Sequence, residues 1–337
     1  MIQDAIENIV AGKSLTMDQA ALVMNEIMSG QATPAQFGAF VTALRIKGET
    51  SEEIAGMAST MRDKSLRVSV EGPLLDTCGT GGDASGTFNI STTAGFVVAG
   101  AGVKVAKHGN RAMSGVCGSA DILEELGIKI ELGPEGVARC LEEVGFGFMF
   151  AQSFHPSMKF AAGPRREIGI RTVFNILGPL TNPASAKAQL IGVADPAVGA
   201  RIAEVLGKLG SSHALVVHGL DGLDEVSLGD ATQVWEFKDD SVCEYTVTPE
   251  ELGLPRVYKK DIKVDSVEES VTTLRRVLAG DHFPAREVVL ANAAAALFAV
   301  DVVPTIKDGI KLAAESIDSG AAKQKMEDLA SLSQNLG

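Results

Sequence analysis

Residues 76–109 read DTCGTGGDASGTFNISTTAGFVVAGAGVKVAKHG: a glycine-rich loop, an Ala/Gly/Val-rich run able to form a helix, and the β-rich run VKVAKHG. Loop, helix and strand in that order form the repeating unit of an α/β sheet. Within the loop, Gly79, Gly81, Gly82 and Gly86 let the backbone reach positive φ and approach a ligand with no Cβ in the way. Successive N–H groups in such a turn make a concave anion nest. Asn89 to Thr93 add an amide and three hydroxyls just where the helical run begins, at the end of a helix that carries partial positive charge. A glycine turn of this kind serves either tight packing or an anion, for which phosphate is the natural guest.

Outward from this unit the pattern repeats. FGFMFA at 146–151, KAQLIGVAD at 187–195 and HALVVHG at 213–219 read as buried strands, separated by the helical runs SADILEELG, PEGVARCLEEVG and PAVGARIAEVLGKLG. Such a sheet is mostly parallel, and its ligands gather at the carboxyl ends of the strands. Residues 232–248 read as a hairpin, and from Val267 onward the chain is again helical. The N-terminal segment differs. Three capping boxes follow one another, Thr16 with Gln19, Thr33 with Gln36 and Thr50 with Glu53, each opening a helix. Pro34 stands at a first helical position, and Gly30 and Gly48 stand where helices end. The expected fold is therefore α/β: a small all-helical N-terminal domain over residues 1–66, and a larger α/β domain over 67–337 with a mostly parallel central sheet flanked by helices. Short amphipathic helices present more apolar face than they can bury among themselves, so docking on the rest of the chain or on a second copy is expected, the second giving a homodimer through this unit.

Composition narrows the function. The 337 residues are 45% hydrophobic and 22% charged, with 43 acidic and 30 basic side chains for a formal charge of -13. Such a surface repels nucleic acid and anionic membrane, so neither is an expected partner and a phosphate ligand must be held locally. The N-terminal residues carry acids where a signal peptide carries a basic segment, and the apolar run at 288–300 is too short to span a bilayer. Cys78, Cys117, Cys140 and Cys243 lie far apart without a CxxC pair, which suggests neither zinc nor a disulfide framework. A cytoplasmic location is expected.

Three further constellations carry chemistry. The turn KHGNRAMSG at 107–115 follows a strand with Lys107, His108 and Arg111 close together and reads as a second anion cradle, with Ser119 as a helix cap or a phosphate donor beyond it. DGLDEV at 221–226 follows the apolar strand LVVHG, so the adjacent carboxylates of Asp224 and Glu225 suit Mg²⁺, which is held by one or two carboxylates and substrate phosphates. The block at 155–184 sets Arg165, Arg166 and Arg171 among apolar residues, giving planar guanidinium groups able to clamp a carboxylate.

DTCGTGGD with TFNIST, KHGN with GSADILE, the RRxxGxRTxFNxLGPLTNPA block, DGLDE and LANAAAALF together resemble, in order and over nearly the whole chain, the anthranilate phosphoribosyltransferases of tryptophan biosynthesis. The resemblance implies a glycosyltransferase that joins the amine of anthranilate to C1 of 5-phosphoribosyl 1-diphosphate, with two Mg²⁺ per monomer. It implies that Gly79, Gly82, Asp83, Thr87, Asn89, Ile90, Ser91 and Thr92 surround the diphosphate and ribose. Lys107, His108, Gly109, Asn110, Arg111, Ala112, Met113, Ser114, Gly115 and Ser119 would close over the same substrate. Ser91, Asp224 and Glu225 would be metal ligands, and Asn110 and Arg165, with Gly79 and His108 nearby, would hold anthranilate. No general base is assigned, and His108 is the one candidate. The resemblance also implies a cleft between the two domains, with the segment near 165–185 joining the helical one. The chain departs from the family at Gly115, Val116 and Cys117, where small polar residues are usual. Against a pyrimidine nucleoside phosphorylase stand DGLDE and the RRxxGxRTxFN block; against a noncatalytic nucleic-acid binder stand the net charge and the intact GTGGD.

Overall fold

The computed structural model describes residues 1–112 and 116–336. α1 (Ile2–Val10) is followed by α2 (Met17–Met28), α3 (Pro34–Lys47) and α4 (Ser51–Asp63). The three predicted capping boxes are all formed: Thr16, Thr33 and Thr50 each accept the N3 backbone N–H, and Gln19, Gln36 and Glu53 each accept the threonine N–H in return. Glu53 does more than cap. Fully buried, it also accepts the Leu15 N–H at 2.9 Å and pairs with Lys47 at 3.0 Å, which compensates its desolvation.

The rest of the chain runs β1 (Leu74–Gly79), α5 (Ile90–Gly100), β2 (Lys104–Gly109), α6 (Ser119–Glu125), α7 (Pro134–Glu143) and β3 (Phe146–Phe150). Next come α8 (Ala151–Phe154), α9 (Lys159–Ile168), α10 (Phe174–Leu177), β4 (Ala188–Gly192), α11 (Gly199–Lys208), β5 (His213–Gly219), β6 (Thr232–Lys238) and β7 (Ser241–Val247). α12 (Pro249–Leu252), α13 (Val267–Leu278), α14 (Pro284–Ala299), α15 (Ile306–Asp318) and α16 (Ala321–Gln334) complete it. The strands form one sheet in the order β3-β2-β1-β4-β5-β6-β7. The first five are parallel; β6 and β7 are an antiparallel hairpin turned by Asp239 and Asp240, both at positive φ as a two-residue turn requires.

β1 is the strand that the sequence pattern did not single out. It has only Leu74 and Leu75 as large apolar residues before Asp76, yet it lies in the middle of the parallel sheet. The chain leaves β1 toward β2 and β3 and returns to β4 on the other side, so strand order reverses at the β1–β4 pair. Crevices form at such a switch point, outside the carboxyl ends.

The period of two along the strands feeds two cores. Leu190, Leu215 and Val217 face α5, α14 and the C-terminal helices, while Ile191, Ala214 and Val216 face α11. The second core continues into Val23, Phe40, Leu44, Ile54 and Met57 of the N-terminal helices and into Phe174, Leu177 and Leu180. Arg62 adds polar ties from α4, donating to Leu180 O (2.7 Å) and Leu209 O (3.2 Å). No helix among the described residues is long and apolar enough to cross a membrane.

Gly56 sets how closely α4 approaches α2, because a Cβ there would lie 2.1 Å from Met17 O. Alanine would gain about 1 kcal/mol of helix propensity, but the clash is with backbone that cannot rotate away. Gly56→Ala is expected to cost a net of about 1–3 kcal/mol, read as a lowered midpoint in urea unfolding.

Candidate active site

The glycine loop leaves the carboxyl end of β1 and lies over the switch point. Thr80 N–H donates to Gly192 O (2.8 Å), and Thr80 Oγ1 accepts Ala194 N–H (3.2 Å), so the loop starts tied to β4. Gly81, Gly82, Ala84 and Gly86 all have positive φ. Gly81 N–H donates to Asp224 Oδ2 at 3.0 Å. Asp224 arrives from the loop after β5 and rests over Gly79 and Gly192, which face each other across β1 and β4. A Cβ on Gly79 would meet Oδ2 at 2.6 Å, and one on Gly192 would meet Asp224 O at 1.6 Å. Asn292, the lone polar residue in the apolar run of α14, holds this loop by accepting Val226 N–H (2.9 Å) and donating to Val226 O (3.0 Å).

Asn89 caps α5, accepting Thr92 N–H at 3.0 Å, and its own N–H is held by Ser270 Oγ of α13 at 3.0 Å. The segment after α12 straps the loop from outside: Phe88 N–H donates to Ile262 O, Val264 N–H to Gly86 O, and Thr87 bridges Lys263. Beneath the loop, the Lys107 ammonium is buried and donates to Thr77 O and to Ser91 Oγ (3.2 Å). Burial lowers its pKa. Asp76 is buried beside it, accepting His108 N–H (3.2 Å) and the Asn182 amide (2.8 Å), and burial raises its pKa to about 6. Asn182 also donates to Ala106 O (2.8 Å) and accepts Ala184 N–H (2.9 Å).

Three carboxylates converge on the loop. Asp224 is raised to about 7, first by burial and then by the Asp83 charge. Glu225 is raised too, by burial and by Asp224, with Lys107 and the Ser91 N–H opposing. Asp83 uses Oδ1 to accept Ser85 N–H (3.2 Å) and leaves Oδ2 buried without a partner. Too much negative charge stands here for the cations present, and every donor is a hard oxygen, the set that Mg²⁺ takes. Among the described residues no three His, Cys, Asp or Glu side chains close into a metal cage by themselves.

The three basic residues read from KHGNRAMSG as one cradle are instead separated: Lys107 and His108 are strand neighbours and point to opposite faces, and Arg111 lies beyond the end of β2. Lys107 points under β1. His108 is buried with its ring 5.0 Å from that of His155, and its Nε2 has no hydrogen-bond partner. Burial, and then His155, lower its pKa to about 3, so it is neutral at pH 7. Arg111 turns outward to Asp121 and Glu124 of α6. Ser119 is the first residue of α6 and not its cap; its Oγ lies 3.4 Å from Asn110 O, and Asp121 accepts the Gly118 and Ala112 N–H groups. The Asn110 amide oxygen accepts Arg111 N–H (2.8 Å). Arg165 lies on α9, half-buried against the Phe174 ring at 5.3 Å, and burial lowers its pKa. Gly109 ends β2, where a Cβ would strike Ser119 Oγ. Met113, Ser114 and Gly115 lie outside the described residues.

Residues 71–323 match the family model described as the a/b domain of a glycosyl transferase family, and residues 3–65 match its helical bundle domain. An anthranilate phosphoribosyltransferase of Dehalococcoides mccartyi is 59% identical over 100% of this chain and 99% of its own. The crystal structure of the enzyme of that name from Thermus thermophilus superposes with a TM-score of 0.94 at 43% identity, covering 98% of this chain and 99% of that one. The Saccharomyces cerevisiae protein, solved in complex with PRPP and Mg, has a TM-score of 0.91 at 28% identity over 99% and 98% of the two chains. The same protein has been solved with 4-fluoroanthranilate (TM-score 0.89, 27% identity, covering 99% and 98%).

Folded His108 resists protonation, while the unfolded chain takes up a proton at the ordinary value of 6.5. This site's contribution to stability is therefore lost as pH falls below that value. From pH 7 to pH 5 the stability of the wild type relative to His108→Asn is expected to fall by about 2 kcal/mol, measured by urea unfolding of both proteins at both pH values.

Proposed function

Because the chain belongs to the anthranilate phosphoribosyltransferases, we propose that the crevice at the β1–β4 switch point is where it performs that family's reaction. The enzyme joins the amine of anthranilate to C1 of 5-phosphoribosyl 1-diphosphate, giving N-(5-phosphoribosyl)anthranilate and diphosphate in L-tryptophan biosynthesis. The observation that carries the assignment of the site is Asp224, seated over two bare glycines and bonded to the Gly81 N–H.

Diphosphate lies in the glycine loop. Gly79, Gly82, Asp83, Thr87 and the first turn of α5, Asn89 to Thr92, surround it and the ribose, supported by the run of positive φ and by the capped helix terminus. Ser91, Asp224 and Glu225 hold two Mg²⁺, supported by the raised carboxylates and the unpartnered Asp83 oxygen. Bound Mg²⁺ supplies positive charge to the departing diphosphate. Lys107 fixes the Ser91 hydroxyl from below. Gly109, Asn110 and Ser119 line the near side of the substrate, while Lys107 supports the loop from beneath and Arg111 is turned away to α6.

Breaking the C1–O bond leaves a cationic sugar beside a highly charged leaving group, so fixed N–H dipoles aimed at the diphosphate lower the barrier most. Arg165 binds the anthranilate carboxylate and Asn110 orients the ring near Gly79 and His108. Burial already lowers the Arg165 pKa, so a carboxylate there gains a weakly hydrated partner. The aromatic amine is neutral at pH 7 and attacks without a base; neutral His108 serves as wall and hydrogen-bond partner. The exposed Val10 and Ile46, at 73% and 82%, support a second copy against the N-terminal helices, and the enzyme works in the cytoplasm as a homodimer.

Anthranilate fluorescence is expected to decay on adding 5-phosphoribosyl 1-diphosphate with Mg²⁺, and to persist in EDTA. Asp224→Asn with Glu225→Gln is expected to abolish the metal-dependent decay while leaving the circular dichroism spectrum unchanged. Arg165→Ala is expected to raise the KM for anthranilate about 10- to 100-fold, with the KM for the sugar diphosphate near that of the wild type. Unchanged kinetics in either variant removes the corresponding assignment.

A further inference from the structure

Arg171 lies between α9 and α10, where the next residue, Thr172, is anchored by its N–H to Asn175 Oδ1 at 2.9 Å. From there its side chain crosses to the glycine loop, and Nη2 donates to Gly81 O at 3.1 Å. A Cβ on Gly82 would lie 2.8 Å from Nη2 and 2.9 Å from Nη1, so the guanidinium occupies the space that any other residue at 82 would fill. Arg111, Arg139 and Arg256 are each held by a carboxylate, whereas Arg171 forms no ion pair among the described residues. An exposed, uncompensated cation thus leans on the loop that gathers anions, in a protein of net charge -13.

The bond to Gly81 O has a geometric consequence. In a planar trans peptide the carbonyl and the following N–H point in opposite directions, so a donor that holds Gly81 O also fixes where Gly82 N–H points. The peptide before it is fixed as well, because Gly81 N–H is held by Asp224. Without these two bonds, the positive-φ glycines at 81 and 82 would sample many orientations, and the nest would have to be ordered at the moment of binding.

We propose that Arg171 is a positioning residue for the diphosphate: it fixes the Gly81–Gly82 peptide so that Gly82 N–H is a preset donor, and it adds positive charge from the opposite wall of the cleft. This rests on the reading that the glycine loop holds the diphosphate.

The test is steady-state kinetics with inorganic pyrophosphate as inhibitor, on the wild type, Arg171→Gln, Arg171→Lys and Asp224→Asn. In Arg171→Gln the KM for 5-phosphoribosyl 1-diphosphate and the inhibition constant of pyrophosphate are expected to rise together by about tenfold. The KM for anthranilate and the thermal midpoint are expected to stay at wild-type values, a split that general loosening of the fold would not give. Lysine keeps the charge and one donor, so Arg171→Lys is expected to recover part of the loss, and it stands alone as the test if the glutamine variant does not fold. Wild-type pyrophosphate inhibition in both Arg171 variants, with Asp224→Asn impaired, overturns the inference and leaves the site standing. Absence of pyrophosphate competition in the wild type overturns both.

Discussion

Asp224 stands over the centre of the sheet only because Gly79 and Gly192 have no side chains. The two glycines are register partners at the carboxyl ends of β1 and β4, and the aspartate fills the volume that both Cβ atoms would need. A methyl group at 192 would overlap backbone, which no rotamer change relieves, so the strand ends and the acidic loop form one fitted unit. The glycine loop is then indexed to that unit through Gly81 N–H, and the acidic loop is indexed to α14 through Asn292. Reversal of strand order opens the crevice; two missing side chains let an acid into it.

Beneath the crevice a second constraint operates. Lys107 and Asp76 are charged groups in the interior, and their desolvation is compensated by fixed partners: Thr77 and Ser91 for the lysine, the His108 N–H and Asn182 for the aspartate. Asn182 belongs to the segment after α10, so the network joins β1, β2 and that segment through bonds that leave little freedom of register. Losing any one partner would leave a buried charge uncompensated, so the network favours the one arrangement that supplies them all. Asp224, Glu225 and Asp83 are compensated less fully: Asp224 accepts the Gly81 N–H and Asp83 the Ser85 N–H, but Asp83 Oδ2 has no partner, and burial and neighbouring carboxylates raise Asp224 and Glu225.

Much of this was legible in the sequence where local chemistry decides. Thr16, Thr33 and Thr50 announce their helices because a capping box is complete within four residues. HALVVHG and KAQLIGVAD announce strands because both faces are buried and both faces are apolar. β1 escaped the same reading because a buried Asp76 interrupts its apolar pattern, and its partner Asn182 is 106 residues away. Ser270, which holds the Asn89 N–H, escaped for the same reason, and so did the contact of Arg171, a residue read only as part of a carboxylate clamp, with the glycine loop: each bond spans more than 80 residues and has no spacing to betray it. Ser119 read as a helix cap or a phosphate donor; the cap position is Gly118, whose N–H, like that of Ala112, is accepted by Asp121 in the first turn, and the Ser119 hydroxyl lies by Asn110 O. Asn292 offered a signal that went unused, as the single amide in an otherwise apolar helix has to satisfy itself somewhere. The adjacent carboxylates of Asp224 and Glu225 and the arginines of the 155–184 block could be read as a Mg²⁺ pair and a carboxylate clamp from residue type alone, whereas Ser91 as a metal ligand and the assignment of each contact to one substrate came only with the resemblance of whole motifs.

The distribution of apolar contact also says which parts move together. The N-terminal helices share a continuous core with residues 173–180, with α11 and with one face of the sheet, so displacing them as a body would expose much of that core. The glycine loop meets the 155–185 segment through a polar contact, Arg171 to Gly81, and not through apolar packing. The same core takes in Val173, Phe174, Leu177 and Leu180, so the wall of the cleft, the N-terminal helices and the sheet form one packed body, and Gly169 at positive φ ends α9 ahead of it.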